Sequence, residues 1–359
     1  MSILVLNPGS TSTKLALFEG GQPVASEELQ HDHSDLDRFK RVADQFDFRM
    51  QAIVGFLQKT GTDRSRIEAV VGRGGLLRPL DGGVYEVSDK MVSDLKSALY
   101  GEHPCNLGGM LALSLARQWG VPAYVVDPAV TDEMMDKARL TGLPGLERRS
   151  LFHALNQRGV ARLVAERLGV EYESSNFIVC HMGGGVSIGA HRLGRVVDVV
   201  NGLDGEGPFT PERTGGLPVV PVLNMVSSGQ RSADDIRHAV LKQGGMFALL
   251  GTNDPRETVV RMEAGDEQAG LVFRSMAYGI ARYVASMIPA LVSGDGELDI
   301  DAIILTGGLA RSRPLMEEVV RLVSPFGRVE VVPGEVEMQA LASGAMRALK
   351  DAAIVRTYG

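Results

Sequence analysis

The sequence predicts an α/β protein made of two related halves. Strand-like segments alternate with helical ones along the chain. A strand, a glycine-centred turn and a returning strand occur at residues 3–18 and again at 177–190, a weak internal repeat at domain-length spacing. The length of 359 residues also exceeds that of a typical single domain.

Residues 3–6 read as a buried strand, Asn7-Pro8-Gly9-Ser10 as a turn, and residues 13–18 as a second strand closed by Gly20-Gly21. Residues 67–71 form another short strand, running into Gly72-Arg73-Gly74-Gly75. Asn106 reads as the cap of a helix over 107–119, which stops at Gly120 with Pro122 beyond it. Residues 123–126 are a short apolar strand ending at Asp127. Ser150 reads as the cap of a helix with apolar Leu151, Phe152, Leu155, Val160, Leu163, Val164 and Leu168, stopped by Gly169. The second half opens with a strand at 177–180, the turn His181-Met182-Gly183-Gly184-Gly185 and a return strand at 186–190. A long helix near 270–292 follows, then a strand at 302–305 ending in Thr306-Gly307-Gly308. A helix at 315–323, a strand at 329–332 and a closing helix at about 338–350 complete the pattern.

Composition narrows the function. Apolar residues are 44% and charged residues 23%, values of an ordinary soluble chain with ample core. Lys plus Arg is 37 against 44 Asp plus Glu, a formal charge of -7, which disfavours general binding to nucleic acid or membrane. The two cysteines, Cys105 and Cys180, have no disulfide or zinc spacing. The N-terminus runs directly into a strand-like segment, so no signal peptide is expected. The most apolar stretch, 280–292, is interrupted by Arg282 and too short to span a bilayer. A cytoplasmic protein is expected.

The glycine turns suggest phosphate. In Asn7-Pro8-Gly9-Ser10-Thr11-Ser12-Thr13-Lys14 the glycine permits close backbone approach to an anion, and Ser10, Ser12 and Lys14 supply donors and charge. A Walker A loop would run into a helix instead. Gly183, Gly184 and Gly185 strip side chains from the second turn. Gly307-Gly308 lies at the carboxyl end of a strand, where open α/β sheets commonly receive nucleotides. Arg73 and Arg213 both lie in glycine-rich loops poor in carboxylates, as charge stabilisation of a phosphoryl group requires. Each alone reads better as a solvated or structurally paired arginine. Asp127 reads as a metal contact, an orienter of an arginine, or a turn cap. A lone His153 near a helix start is more often structural.

Together these residues resemble the acetokinase family. The resemblance rests on six ordered motifs: the residue 7–14 turn, Arg73-Gly74-Gly75, Val126-Asp127-Pro128, Phe152-His153-Ala154-Leu155-Asn156-Gln157, His181-Met182-Gly183-Gly184-Gly185 and Phe209-Thr210-Pro211-Glu212-Arg213-Thr214-Gly215. It implies two duplicated ribonuclease H-like (actin-like ATPase) domains with an active-site cleft between them. The expected domains are 1–170 and a nucleotide-binding domain at 171–337, with the last helix, about 338–359, packing back on the first. ATP/ADP and Mg2+ are the implied cofactors, and a short-chain carboxylate or acyl phosphate the substrate, with butyrate the expected acid. A homo-oligomer is implied too.

Residue by residue, the resemblance implies that Asn7 and Glu337 serve the metal, with Glu335 an alternative two residues away. Ser10, Ser12 and Lys14 approach the phosphates. Arg73, Asp127, His153 and Arg213 form the catalytic group. His181 and Gly183, Gly184 and Gly185 line the phosphate path, and Gly307, Gly308 and Arg311 the nucleotide. Gly74-Gly75 replaces the valines of acetate kinases, so Gly75, Leu107, Phe152 and Pro211 are expected to border a longer acyl tail. Isobutyrate is an alternative acid. A sugar kinase would need an aspartate base, which Asp127 could supply, but not two arginines. A nucleotide switch without turnover is the non-enzymatic alternative.

Overall fold

The structure, a computed structural model, describes residues 1–359. Its strands are β1 (Ser2–Pro8), β2 (Ser12–Glu19), β3 (Gln22–Gln30), β4 (Ile67–Arg73), β5 (Val84–Glu86), β6 (Ala123–Val126), β7 (Asn176–Met182), β8 (Val186–Arg192), β9 (Arg195–Val200), β10 (Ala302–Gly307), β11 (Val329–Pro333) and β12 (Val355–Arg356). They form a seven-stranded sheet, β12-β5-β6-β4-β1-β2-β3, and a five-stranded sheet, β11-β10-β7-β8-β9.

The first sheet belongs to a compact unit of Met1–Asp132, Ala154–Gly159 and Val336–Gly359. Strand β1 is apolar without alternation because both its faces are covered. Ile3 and Val5 join Ala16, Phe18 and Val71 under Leu341 and Ala345 of the Glu337–Lys350 helix. Leu4 and Leu6 join Leu15, Leu17 and Val70 under the Asn106–Trp119 and Phe46–Lys59 helices. Each fully buried Leu or Ile there contributes about 1.5–3 kcal/mol. Gly344 lets the last helix approach this sheet, since a Cβ would lie 2.5 Å from Val126.

The second unit, Glu133–His153 and Val160–Glu335, holds the five-stranded sheet. Ile178, Cys180, Met182, Ile303 and Leu305 pack there with Phe273, Met276 and Ile280 of the Glu267–Ala285 helix, and with Leu315 and Val319 of the Arg313–Val323 helix. The repeat is visible as topology. Strand β1 pairs antiparallel with β2 and parallel with β4, while β7 pairs antiparallel with β8 and parallel with β10. Each hairpin turns in three residues, 9–11 and 183–185.

The structure corrects several expectations. The unit boundaries are not 1–170 and 171–337. Segment 133–153 joins the second unit because Glu133 accepts the Val196 amide at 2.8 Å and the Met135 amide donates to Val197 O at 2.9 Å. Asn106 does not cap its helix; Cys105 occupies that position, and Asn106 Oδ1 accepts the Leu76 amide at 2.8 Å. The Ser150 helix begins only at Ala154, with His153 before it. The long helix is Glu267–Ala285, ending before Pro289 introduces a 3-10 turn at Ile288–Leu291. Strand β3 was missed because it is a mostly exposed edge strand with no apolar signal.

Candidate active site

In the first unit, β1, β4 and the last helix bring three predicted residues together. Asn7 Nδ2 donates to Glu337 Oε2 at 2.9 Å, and Arg73 Nη1 donates to the same oxygen at 3.2 Å. Arg73 also reaches Asn7 Oδ1 at 3.4 Å. These positions are 330 and 264 residues apart from Glu337 in sequence, so only the return of the last helix assembles them. Glu337 is buried and joins this cluster, whereas Glu335 is exposed. Two neighbours of Arg73, His103 and Cys105, were not among the expected site residues. Burial, then the Arg73 charge, lowers the His103 pKa; burial pushes the Cys105 thiol up to about 11.

The first glycine turn is closed by Gly9 N donating to Ser12 O at 2.8 Å. Ser10 stands exposed at its tip. Ser12 Oγ donates to Glu28 Oε1 at 3.1 Å, and Lys14 Nζ lies 4.0 Å from the same carboxylate. Lys14 is partly exposed and its ion pair is at the outer limit, so its charge remains available to an anion.

Asp127 is not a simple turn cap. It adopts φ +40, is buried, accepts the Gly83 amide at 2.8 Å, and lies 2.7 Å from Nε of the buried Arg158. Such a contact is the arrangement that the orienting alternative requires, with Arg158 as the arginine. Arg158 itself had not been singled out.

The acyl-tail expectation changes at two positions. A Cβ at Gly75 would lie 2.5 Å from Asn106 Cα and 2.7 Å from Leu95 Cδ2, so this glycine permits strand-to-helix packing rather than opening space. Leu107 is fully buried and belongs to the hydrophobic core of the first unit. Gly75→Ala is therefore expected to cost about 1–3 kcal/mol by overpacking, read as a fall in Tm. An unchanged Tm with a shift toward shorter acids would restore its role at the tail.

In the second unit, His153 and His181 stack with ring centroids 4.1 Å apart, and the His153 amide donates to Ser187 Oγ at 3.4 Å. Phe152 and Pro211 are both buried. Thr210 Oγ1 donates to Gly184 O at 2.7 Å and accepts the Arg213 amide at 3.0 Å, tying the arginine loop to the glycine turn. Arg213 Nη1 donates to Gly202 O at 2.6 Å, and burial lowers its pKa against the opposing charge of Glu212. Gly183 and Gly184 leave room for a Cβ, but at Gly185 one would lie 2.0 Å from Arg213 Nη1. Gly185 thus exists for Arg213. At the end of β10, Gly307 has φ +95 and abuts Met182, while Gly308 faces open space. Arg311 is exposed, with one guanidinium nitrogen over Gly334.

The Acetokinase family profile matches residues 125–333. The chain belongs to the acetokinase family. It is 52% identical over 349 residues to a Maridesulfovibrio salexigens protein described as "Probable butyrate kinase", covering 97% of this chain and 96% of that one. An acetate kinase structure from Porphyromonas gingivalis aligns with TM-score 0.76 and 23% identity over 97% of this chain and 99% of that one. A propionate kinase from Francisella tularensis aligns with TM-score 0.69 and 19% identity over 95% and 98%. These structures identify the duplicated actin-like ATPase fold.

For an acetokinase-family enzyme whose Arg213 stabilises phosphoryl charge, Gly185→Ala should lower kcat about tenfold or more, because the new methyl displaces the guanidinium. Steady-state rates alongside a thermal melt check this. Equal kcat to the parent would mean that Arg213 is not placed by this contact.

Proposed function

We propose that this protein is a short-chain carboxylate kinase that converts butyrate and ATP to butyryl phosphate and ADP. The observation that carries the reading is the Asn7–Arg73–Glu337 cluster, assembled from three distant segments of an acetokinase-family chain. The 52% identity to the butyrate kinase relative supports the choice of acid. The reaction would take place in the cytoplasm between small molecules; no helix is long and apolar enough to cross a membrane, and the acidic net charge gives no general nucleic-acid surface.

A carboxylate nucleophile is already ionised at neutral pH, so a general base has no task. The barrier lies in bringing two anions together and stabilising the charge of the moving phosphoryl. Arg73 and Arg213 are the proposed cations for that charge, and Arg213 makes no ion pair that would cancel it. Ser10, Ser12 and Lys14 would hold phosphate oxygens, and Gly183 and Gly184 would let a phosphate approach the backbone. His153 and His181, stacked as they are, would present ring N–H groups to the phosphoryl oxygens. Gly307, Gly308 and Arg311 would border the nucleotide. Asp127 acts by orienting Arg158, not as a base.

Asn7 and Glu337 fit a Mg2+ held mainly by nucleotide phosphates. One amide oxygen and one carboxylate suffice for such an ion, and both hydrogen bonds to Glu337 fall on Oε2, leaving Oε1. When bound, the ion neutralises charge on the terminal phosphates.

Chain-length preference tests the choice of acid. With each buried methylene contributing about 0.8 kcal/mol, kcat/KM should rise stepwise from acetate through propionate to butyrate. An acetate optimum would overturn the butyrate reading, and an isobutyrate optimum would replace it with a branched-chain one.

A further inference from the structure

Behind the first glycine turn lies a charge that none of the six motifs contains. Arg49, on the Phe46–Lys59 helix, has 0% exposure. Its Nη1 donates to Ser12 O at 2.7 Å and to Thr13 Oγ1 at 2.8 Å, and Nη2 donates to Gly9 O at 2.9 Å. Nε and Nη2 both donate to Gln45 Oε1, at 3.3 and 3.1 Å. All five N–H groups are thus used, and every acceptor is a neutral oxygen. No carboxylate pairs with this guanidinium. On one side its titratable neighbour is His31, whose Nε2 lies 2.7 Å from Thr13 Oγ1, while the nearby Glu28 carboxylate bonds Ser12 Oγ and not the guanidinium. Burial and the Arg49 charge keep that histidine's pKa low, so the nearest group adds no compensating charge.

A buried, unpaired cation is costly, and a protein core ordinarily avoids it. Burial pushes the Arg49 pKa down to about 10, still well above neutrality, so the group stays charged. A neutral glutamine or methionine could fill a helix position of this kind without that cost. The guanidinium is doing two things that they cannot. Its fork spans Gly9 and Ser12, which fixes the bend and hence the direction of the Ser10 and Ser12 side chains and the Gly9 backbone. Its charge also lies directly behind the loop, in a medium where it is poorly screened.

We infer that Arg49 is a positioning residue for phosphate binding, shaping the residue 9–13 turn and supplying the uncancelled positive charge behind it. The inference rests on the proposed kinase reading, in that it takes this turn as a phosphate cradle. Arg49 does not touch the ligand; it acts through Ser10, Ser12 and the Gly9 backbone.

The test uses the full chain with Arg49→Lys, Arg49→Gln and Gln45→Leu. ATP binding is measured by calorimetry, KM for ATP and for butyrate by steady-state rates, and stability by thermal melts. Arg49→Gln should raise the Kd and KM for ATP about tenfold or more, with KM for butyrate changed less than about twofold. Arg49→Lys, which keeps the charge but loses the fork, should fall between parent and Arg49→Gln. Gln45→Leu leaves two guanidinium N–H groups without an acceptor and should raise KM for ATP about threefold; it also keeps the question answerable if the Arg49 variants do not fold. Lower Tm with unchanged ATP Kd and KM in these variants would overturn the inference, leaving Arg49 a purely structural clamp. Wild-type protein that binds ATP but does not phosphorylate butyrate would instead strike the kinase reading, while the ATP Kd comparison would still judge Arg49.

Discussion

Arg73→Ala is expected to lower kcat about 10³-fold, the loss typical of an arginine that stabilises a transferring phosphoryl group. The structure refines what else it should do. Arg73 donates to Glu337 Oε2, and without it the buried carboxylate keeps only Asn7 Nδ2 as a neighbouring donor. Some stability should therefore be lost as well. The double variant Arg73→Ala/Glu337→Gln isolates the stability effect, since Glu337 is itself a proposed metal ligand whose loss keeps kcat low. Removing the carboxylate charge should restore much of the Tm and none of the kcat. Recovery of both together would make Arg73 a structural partner of Glu337 and remove it from the chemistry.

Asp127→Asn is expected to cost about 1.5–3 kcal/mol, because it removes the charge of a buried carboxylate that lies 2.7 Å from Nε of the buried Arg158. Asparagine tolerates the φ of +40 at this position and can still accept the Gly83 amide, so the change isolates the charge. Tm and kcat should fall together. An unchanged Tm with turnover abolished would mean that the carboxylate acts directly on substrate or metal.

The parts of the fold that the sequence revealed are those whose physics is local. The β1 and β7 hairpins carry apolar strands and glycine turns, and both appear where the pattern places them. Gly120 and Gly169 end their helices in the left-handed conformation as expected. Edge strand β3 and the two-residue β12 gave no such signal, since exposure and brevity erase the alternation on which a strand is recognised. The start of the Ala154–Leu168 helix was misplaced because Ser150 has the right chemistry for a cap but the chain is not yet helical there.

The candidate site was legible where the proposed residues lie in the motifs themselves, as with Asn7, Arg73 and Arg213. It was not legible where residues act through others. Arg158 and Arg49 lie on helices outside the six motifs, the first beside Asp127 and the second bonded to the carbonyls of Gly9 and Ser12. Arg49 did leave a trace, for it stands at helical spacing with Ile53, Phe56 and Leu57, a lone cation in an apolar stripe. Gly75 was ambiguous for a related reason. A glycine beside a catalytic arginine can mean space for a ligand or contact with a helix, and only the direction of the missing Cβ distinguishes the two.

The most direct test is to incubate the protein with ATP, Mg2+ and butyrate in the presence of hydroxylamine, and to measure ADP and butyryl hydroxamate together. Equal amounts of both are expected, with product formation dependent on the acid. ADP release without hydroxamate, or turnover only with a sugar, would contradict carboxylate phosphorylation.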